Sequence, residues 1–351
     1  MGDMEEMEGG KPSSIDFVTI GMFIIDDIFP PPSAPNQTPQ KDIIGGAGTY
    51  SALGARLFSP PPTQSKTIGW IIDAGTDFPA AVHSQIESWQ TSALIRPREA
   101  LTTRGWNGYG ENESRAFRYL TEKKRLTVDD LSPDFLGARS FHLICSPLRC
   151  MEMIQQILAQ RAGHDESQPV MIWEPVPDLC TPAELANTLQ AMRHVQVISP
   201  NHEELASLFS QTHPAAGVDR ALVEHHAERL LTSGIGPNNN GAVAVRAGKE
   251  GCYIASHRLS RWLPAYHQDS RKVVDPTGGG NGFLGGFAVG FARTGDVVEA
   301  ARMGSVAASY CIEQVGVPAI TCAHDEGMER VEEWNGSRVS GRLEEFRGRT
   351  G

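Results

Sequence analysis

The residues best suited to do chemistry lie in one segment: Lys272-Val-Val-Asp275-Pro276-Thr277-Gly278-Gly279-Gly280-Asn281-Gly282-Phe283-Leu284-Gly285-Gly286-Phe287. Three successive glycines stand directly before an apolar run that reads as a helix. They leave backbone N–H groups unblocked, and the start of a helix adds donors with no intrahelical partner and a partial positive charge. Together these make an anion site suited to phosphate. Gly285-Gly286 removes side chains from the helix where a substrate or another backbone could approach. A glycine turn with no ligand is the alternative reading of the three glycines taken alone.

Elements that could position this segment are legible around it. Asp16–Asp26 is almost continuously apolar and reads as one buried strand, followed by five prolines between Pro30 and Pro39 that read as a loop. Gly45-Gly46 opens a helical stretch that runs to about Leu57. Residues 79–90 read as a helix, and 94–120 as short strands with a turn at Trp106-Asn-Gly-Tyr109, since Asn-Gly is a hairpin signal. From Ser140 onward short apolar strands alternate with helices: strands at Ser140–Cys145, Val170–Glu174, Val195–Ser199 and Ala242–Arg246, helices at Met151–Arg161, Thr181–Met192 and Leu222–Leu231 and one starting at Glu203. That alternation predicts an α/β fold with a mostly parallel sheet and helices on both faces, its site at the C-terminal ends of the strands. Two helices follow the glycines, one to about Arg293 and one over Val297–Gln314, the second opened by an Asp296/Glu299 capping box. The neighbours His225 and His226 do not share a helix face and read as a surface pair rather than a metal site.

The composition bounds the function. The 351 residues carry a net charge of −11 and include no basic block, which argues against nucleic-acid binding, where phosphate neutralisation supplies much of the affinity. The six cysteines form no C-x-x-C pair and no zinc spacing, and read as buried, reduced thiols. Met1–Ser14 is acidic and Gly-rich, without the basic start and apolar run of a signal peptide, and no apolar stretch reaches the roughly 20 residues of a membrane span. A cytoplasmic protein is expected.

The glycine segment resembles the C-terminal signature of the PfkB carbohydrate kinases, the ribokinase-like family, at Asp275, Thr277, Gly278, Gly280, Phe283, Gly285 and Gly286. Within that family Asp-Pro-Thr-Gly-Gly-Gly-Asn is similar to the fungal maintenance-of-killer type. Further similarities follow in the family's order. Gly21 with Asp26 resembles the first strand and its sugar-binding aspartate, and Gly45-Gly46 the early di-glycine. Ile68–Asp77 resembles the next strand and loop. Asn201-His-Glu-Glu204 resembles the Asn-x-x-Glu associated with Mg²⁺ and phosphate, and Val245–Gly251 the nucleotide-side loop. The resemblance implies a ribokinase-like three-layer α/β/α domain over 15–325 with a small, reduced lid from parts of 22–44 and 94–120. A disordered tail at 1–14 and a peripheral segment at 326–351 would flank it.

It also implies an ATP- and Mg²⁺-dependent phosphotransferase with a sugar or nucleoside-like acceptor, and a homodimer through lids. Asp26, Gly45, Gly46, Tyr50 and Arg115 would face the acceptor. Gly278, Gly279, Gly280 and Asn281 would form the anion hole, and Asn201, Glu204, Arg246, Gly248 and Thr277 would lie along the nucleotide, Glu204 meeting Mg²⁺ through water.

Departures from the family pattern shape the mechanism. The family's general base, an aspartate, is replaced by Asn281, and an amide cannot accept the acceptor's proton. A slow kinase is therefore expected, the alternative being a catalytically impaired, pseudokinase-type protein that binds nucleotide or metabolite and acts through a partner. Asn281-Gly282 is also a deamidation-prone pair that would convert to an aspartate. Tyr50 replaces a sugar-binding asparagine. Arg246 replaces a threonine, and pairing with phosphate or facing solvent are both open to it.

Overall fold

The structure, a computed structural model, describes residues 14–30, 38–109, 115–161, 168–214, 217–323 and 331–351. The first strands are β1 (Phe17–Thr19), β2 (Ile24–Phe29) and β3 (Gln40–Gly45), followed by helix α1 (Ala47–Arg56). Next come β4 (Ile68–Ala74), α2 (Ala80–Ser88), β5 (Ser92–Pro97), β6 (Arg104–Tyr109) and β7 (Arg115–Tyr119). The regular α/β part runs α3 (Pro133–Leu136), β8 (Ser140–Cys145), α4 (Pro147–Arg161), β9 (Val170–Pro175), α5 (Leu185–Ala191), β10 (Val197–Ile198), α6 (His202–Leu208), α7 (Arg220–Ser233) and β11 (Ala242–Arg246). A hairpin of β12 (Cys252–Ser256) and β13 (Leu259–Leu263) precedes α8 (Gly279–Thr294) and α9 (Val297–Cys311). A second hairpin, β14 (Ile320–Ala323) and β15 (Val331–Trp334), leads to α10 (Val339–Thr350).

Nine strands form one sheet in the order β13-β12-β11-β10-β9-β8-β1-β4-β5, parallel except where β12 and β13 join antiparallel. Apolar strands such as β8 and β11 are buried on both faces, as a sheet covered on two sides requires. One face packs on α1, α8, α9 and α10 through Leu53, Phe287, Ala300 and Phe346, and the other on α4 and α7 through Ile157 and Leu230. The α/β class expected from the alternation is the observed one.

The apolar run from Asp16 to Asp26 is not one strand. β1 lies in the main sheet, while β2 pairs with β3 and β6 in a separate four-stranded sheet, order β3-β2-β6-β7. The break falls at Gly21, where α1 crosses so closely that a Cβ would stand 2.6 Å from the Gly48 nitrogen. This second sheet is built from the segments that the resemblance assigns to a lid. The prolines of 31–37 fall outside the described residues, between the end of β2 and the start of β3.

The Trp106-Asn-Gly-Tyr109 turn is a correction: Asn107 and Gly108 lie inside β6, paired with Phe117 and Ala116. Gly108 serves packing there, since a Cβ would meet the Trp106 ring at 2.0 Å. The segment expected to be peripheral contributes Trp334 and Phe346, both fully buried, to the core. It also supplies Glu332 to the fully buried Arg56, whose Nη1 donates to Oε2 at 2.8 Å while Nη2 reaches Oε1. Asp296 caps α9 by accepting from Val298 and Glu299, but Glu299 turns its carboxylate to Arg302 and Arg347 instead of closing a capping box. His226 is no surface residue: it is 3% exposed and stacks on Phe209 at 4.4 Å. Five of the six cysteines are described, free and buried.

Candidate active site

Helix α8 starts where the glycines predicted a cradle. Its N-cap, Gly278, sits in the left-handed region at φ 79°, a conformation that glycine adopts without penalty. Asp275 prepares the turn by accepting from the Thr277 N–H at 2.9 Å. The first-turn N–H groups of Gly280 and Asn281 belong to the set that a helix cannot satisfy by itself. Tyr50, 3% exposed, backs this turn: a Cβ on Gly278 would collide with its ring at 2.3 Å. The tyrosine thus supports the cradle from α1, rather than standing in the acceptor pocket as its alignment with a sugar-binding asparagine implied. Helices α1 and α8 meet backbone to backbone, with a Cβ on Gly285 standing only 1.8 Å from the Ser51 carbonyl. That contact fixes the N-terminus of α1, with Gly45 and Gly46, relative to the N-terminus of α8.

Over the cradle stands a charge network centred on a residue the sequence reading did not single out. Glu174, at the C-terminal end of β9, accepts from Arg246 Nη1 through Oε1 at 2.7 Å and from Asn281 Nδ2 through Oε2 at 2.8 Å. His142 Nε2 lies 3.2 Å from the same Oε2, and its Nδ1 lies 3.4 Å from Thr19 Oγ1. Burial alone would raise the Glu174 carboxyl, but the Arg246 charge, with His142 and Asn281, holds it down at about 2. Arg246 also donates to the Ser199 carbonyl at 2.9 Å and reaches Glu204 at 3.5 Å. Its guanidinium overhangs the cradle so closely that a Cβ on Gly280 would lie 2.3 Å from Nη1. Arg246 does not face solvent: its side chain is only 12% exposed.

Asn201 and Glu204 form a reciprocal capping box at the start of α6. Asn201 Oδ1 accepts from the Glu204 N–H at 2.8 Å, and Glu204 Oε2 accepts from the Asn201 N–H at 2.7 Å. Asn201 bridges to Arg246 in sheet register, which carries the box to the edge of the cradle. Burial raises the Glu204 carboxyl, only partly offset by Arg246. Among the described residues no group of three or more His, Cys, Asp or Glu could hold a metal. Gly248, at φ 54°, opens the turn between β11 and β12 beside this edge and has open space where a side chain would be. Thr277 lies in the turn before α8, partly buried.

The second sheet and the start of α1 carry the residues that the family resemblance assigns to the acceptor. Asp26 of β2 is 6% exposed and points its carboxylate across the bare faces of Gly45 and Gly105, where a Cβ would stand 2.0 and 2.5 Å from its oxygens. Gly46, at φ 90°, caps α1 next to it. Phe117 and Tyr119 of β7 pack edge to face at 4.9 Å, and Gly105 is bare beneath the Phe117 ring as well. Arg115 opens β7, and its side chain lies outside the described residues. Asp73 and Asp77 are structural: Asp73 pairs with Arg96, and Asp77 accepts from Arg104 and from the Thr102 N–H.

Glu174 and His142 are the site residues that sequence reasoning missed. A signal was present: a charged residue closing an otherwise apolar strand falls where strand ends meet ligands in open α/β sheets.

Known proteins resemble this chain in sequence and in fold. Residues 108–322 match the pfkB family of carbohydrate kinases. The chain is 36% identical over 334 residues to the protein MAK32 of Saccharomyces cerevisiae, covering 90% of this chain and 89% of that one. Its fold is similar to that of ribokinase from Giardia lamblia, with a TM-score of 0.67, 18% identity, and coverage of 87% and 94% of the two chains. It is also similar to a ribokinase from Cryptococcus neoformans in complex with ADP, with a TM-score of 0.64, 19% identity, and coverage of 87% and 95%. The resemblance read from the glycine segment is borne out, and the chain belongs to the PfkB family of carbohydrate kinases.

Proposed function

We propose that the protein is an ATP-dependent phosphotransferase for a small sugar or nucleoside-like alcohol, and that it works slowly. The observation that carries this reading is the rigid joining of two half-sites. The α1–α8 contact at Gly285 and Ser51 holds the acceptor-side glycines, beside the four-stranded second sheet, against the phosphate-side cradle. Phosphoryl transfer depends mainly on such positioning and on charge stabilisation, which need no covalent chemistry from the protein. Asp26 would hold acceptor hydroxyls, and Gly278, Gly279, Gly280 and the Asn281 N–H the transferring phosphoryl. Asn201, Glu204 and the Gly248 turn would lie along Mg·ATP.

Slowness follows from Asn281. Its amide donates to Glu174 and cannot accept the hydroxyl proton. Glu174 is not free to replace the missing base, because its two oxygens are already engaged by Arg246 and Asn281, and the Arg246 charge favours its ionised form. A positioned base is worth about 10²–10⁴ in rate, so this much is forfeited. The same amide favours a second reading, a protein that binds nucleotide without transferring phosphate and acts through a partner. Both readings require nucleotide binding. Mg·ATP at about 100 times its Kd should stabilise the full chain by about 2.7 kcal/mol, seen as a rise in melting temperature. A melting curve that no nucleotide shifts at millimolar concentration would defeat both.

A further inference from the structure

Two positive ends converge on one volume above Gly280. One is the N-terminus of α8, which carries the partial positive charge of a sixteen-residue helix. The other is the Arg246 guanidinium, which a Cβ on Gly280 would strike. A cation at a helix N-terminus is unfavourable unless an anion lies between them. The anion present is the Glu174 carboxylate, one oxygen toward Arg246 and the other toward Asn281 of α8. This arrangement leaves Arg246 incompletely used, since its Nε is buried and has no hydrogen-bond acceptor among the described residues. Buried donors are rarely left that way, and a planar guanidinium with a spare donor is suited to phosphate oxygens.

We propose that Arg246 receives the terminal phosphoryl group of a bound nucleoside triphosphate, and that Glu174 is a positioning residue holding that arginine over the cradle as an internal stand-in for the anion. The proposal rests on the nucleotide-site reading above and deepens it. When the phosphoryl group is bound, Arg246 gives Nε and part of its fork to phosphate oxygens, and Glu174 keeps Asn281 and His142. The site thus carries a fixed cation where charge would develop during transfer, and this is separate from the proton acceptor that it lacks.

The pair makes opposite predictions for its two members. Arg246→Thr removes the cation and should weaken Mg·ATP by at least about tenfold, since charge-assisted hydrogen bonds are worth that much. Mg·ADP and AMP, which lack the terminal group, should change much less. Glu174→Gln removes the competing anion but keeps an acceptor for Arg246, and should tighten Mg·ATP several-fold. A merely structural role would weaken all three nucleotides with both variants. Calorimetric titration of the full-length chain with Mg·ATP, Mg·ADP and AMP reads this directly. Arg246→Lys keeps the charge and loses the fork, so it should give a smaller loss of the same sign and serves if Arg246→Thr does not fold. If the wild type binds no nucleotide, the functional reading and this inference fall together. If the wild type binds and Arg246→Thr leaves the ATP-to-ADP preference unchanged, or Glu174→Gln weakens ATP, the inference alone is overturned.

Discussion

At the scale of single residues, the family resemblance pointed at Asn281 and the structure shows what that amide is matched to. Its side chain donates to Glu174, so restoring an aspartate there would set two carboxylates at hydrogen-bond distance in a buried site, where both cannot ionise freely. The structure also changes the deamidation expectation. Ring closure would need the Gly282 nitrogen to attack the Asn281 side chain. That nitrogen is committed to the Gly278 carbonyl at 2.8 Å, and the side chain is held by Glu174, so conversion should be slow in the folded protein. A second residue-scale consequence lies away from the site. Burial, then the neighbouring His225, lowers His226 from 6.5 to about 4, and both of its ring nitrogens are buried without hydrogen-bond partners among the described residues. The folded state therefore takes up its proton later than the unfolded state as pH falls. The stability contributed is full above pH 6.5 and is lost as pH drops toward 4. At pH 5 the loss should be about 2 kcal/mol relative to pH 7. His226→Phe, measured by urea unfolding at pH 7 and pH 5, should lose less than the wild type over that interval, and an equal loss would refute the assignment.

At the scale of elements, the α1–α8 contact organises the site, because it joins the acceptor glycines at the start of α1 to the cradle at the start of α8. Gly285→Ala would force a Cβ to 1.8 Å from the Ser51 carbonyl and push the helices apart. It should cost about 1–3 kcal/mol, the usual range for overpacking, and weaken Mg·ATP binding with it. Unfolding titrations that show no loss would mean the helices separate freely. This scale is also where the sequence was most and least legible. Strands β8, β9 and β11 and helix α8 were readable because their apolar runs and glycines have no other use. The break at Gly21 was not, since an apolar strand and two apolar strands in different sheets share one local pattern. Only the close passage of Gly48 decides between them. Asn107-Gly108 misled for a related reason: the glycine is there to admit the Trp106 ring, not to turn the chain. Arg246 and Tyr50 were found from the sequence, but their directions were not, because direction depends on partners far away in the chain. Glu174 was overlooked because it ends a strand that read simply as core.

At the scale of the whole molecule, the C-terminal segment is part of the fold rather than an appendage. Removing residues after 325 would uncover the core around Trp334 and Phe346 and strip Glu332 from the fully buried Arg56. Breaking such a buried pair alone costs about 3–5 kcal/mol, a large share of a domain's stability. The truncated chain should therefore be insoluble or fail to show a cooperative melt, and a truncated chain that melts like the full one would show the segment to be dispensable. Among the described residues no helix is long and apolar enough to cross a membrane.

The function we propose has this molecule keep the positioning machinery of a PfkB kinase without the family's proton acceptor. The most direct measurement is ADP release with Mg·ATP over a panel of sugars and nucleosides, comparing the wild type with the double variant Asn281→Asp/Glu174→Gln. The double variant exchanges amide and carboxylate between α8 and β9 at constant charge. It should turn over the same acceptor at least about 10²-fold faster than the wild type, the lower bound for a positioned base. Wild-type turnover at ordinary kinase rates, about 1–100 s⁻¹, with no gain in the double variant, would contradict the claim.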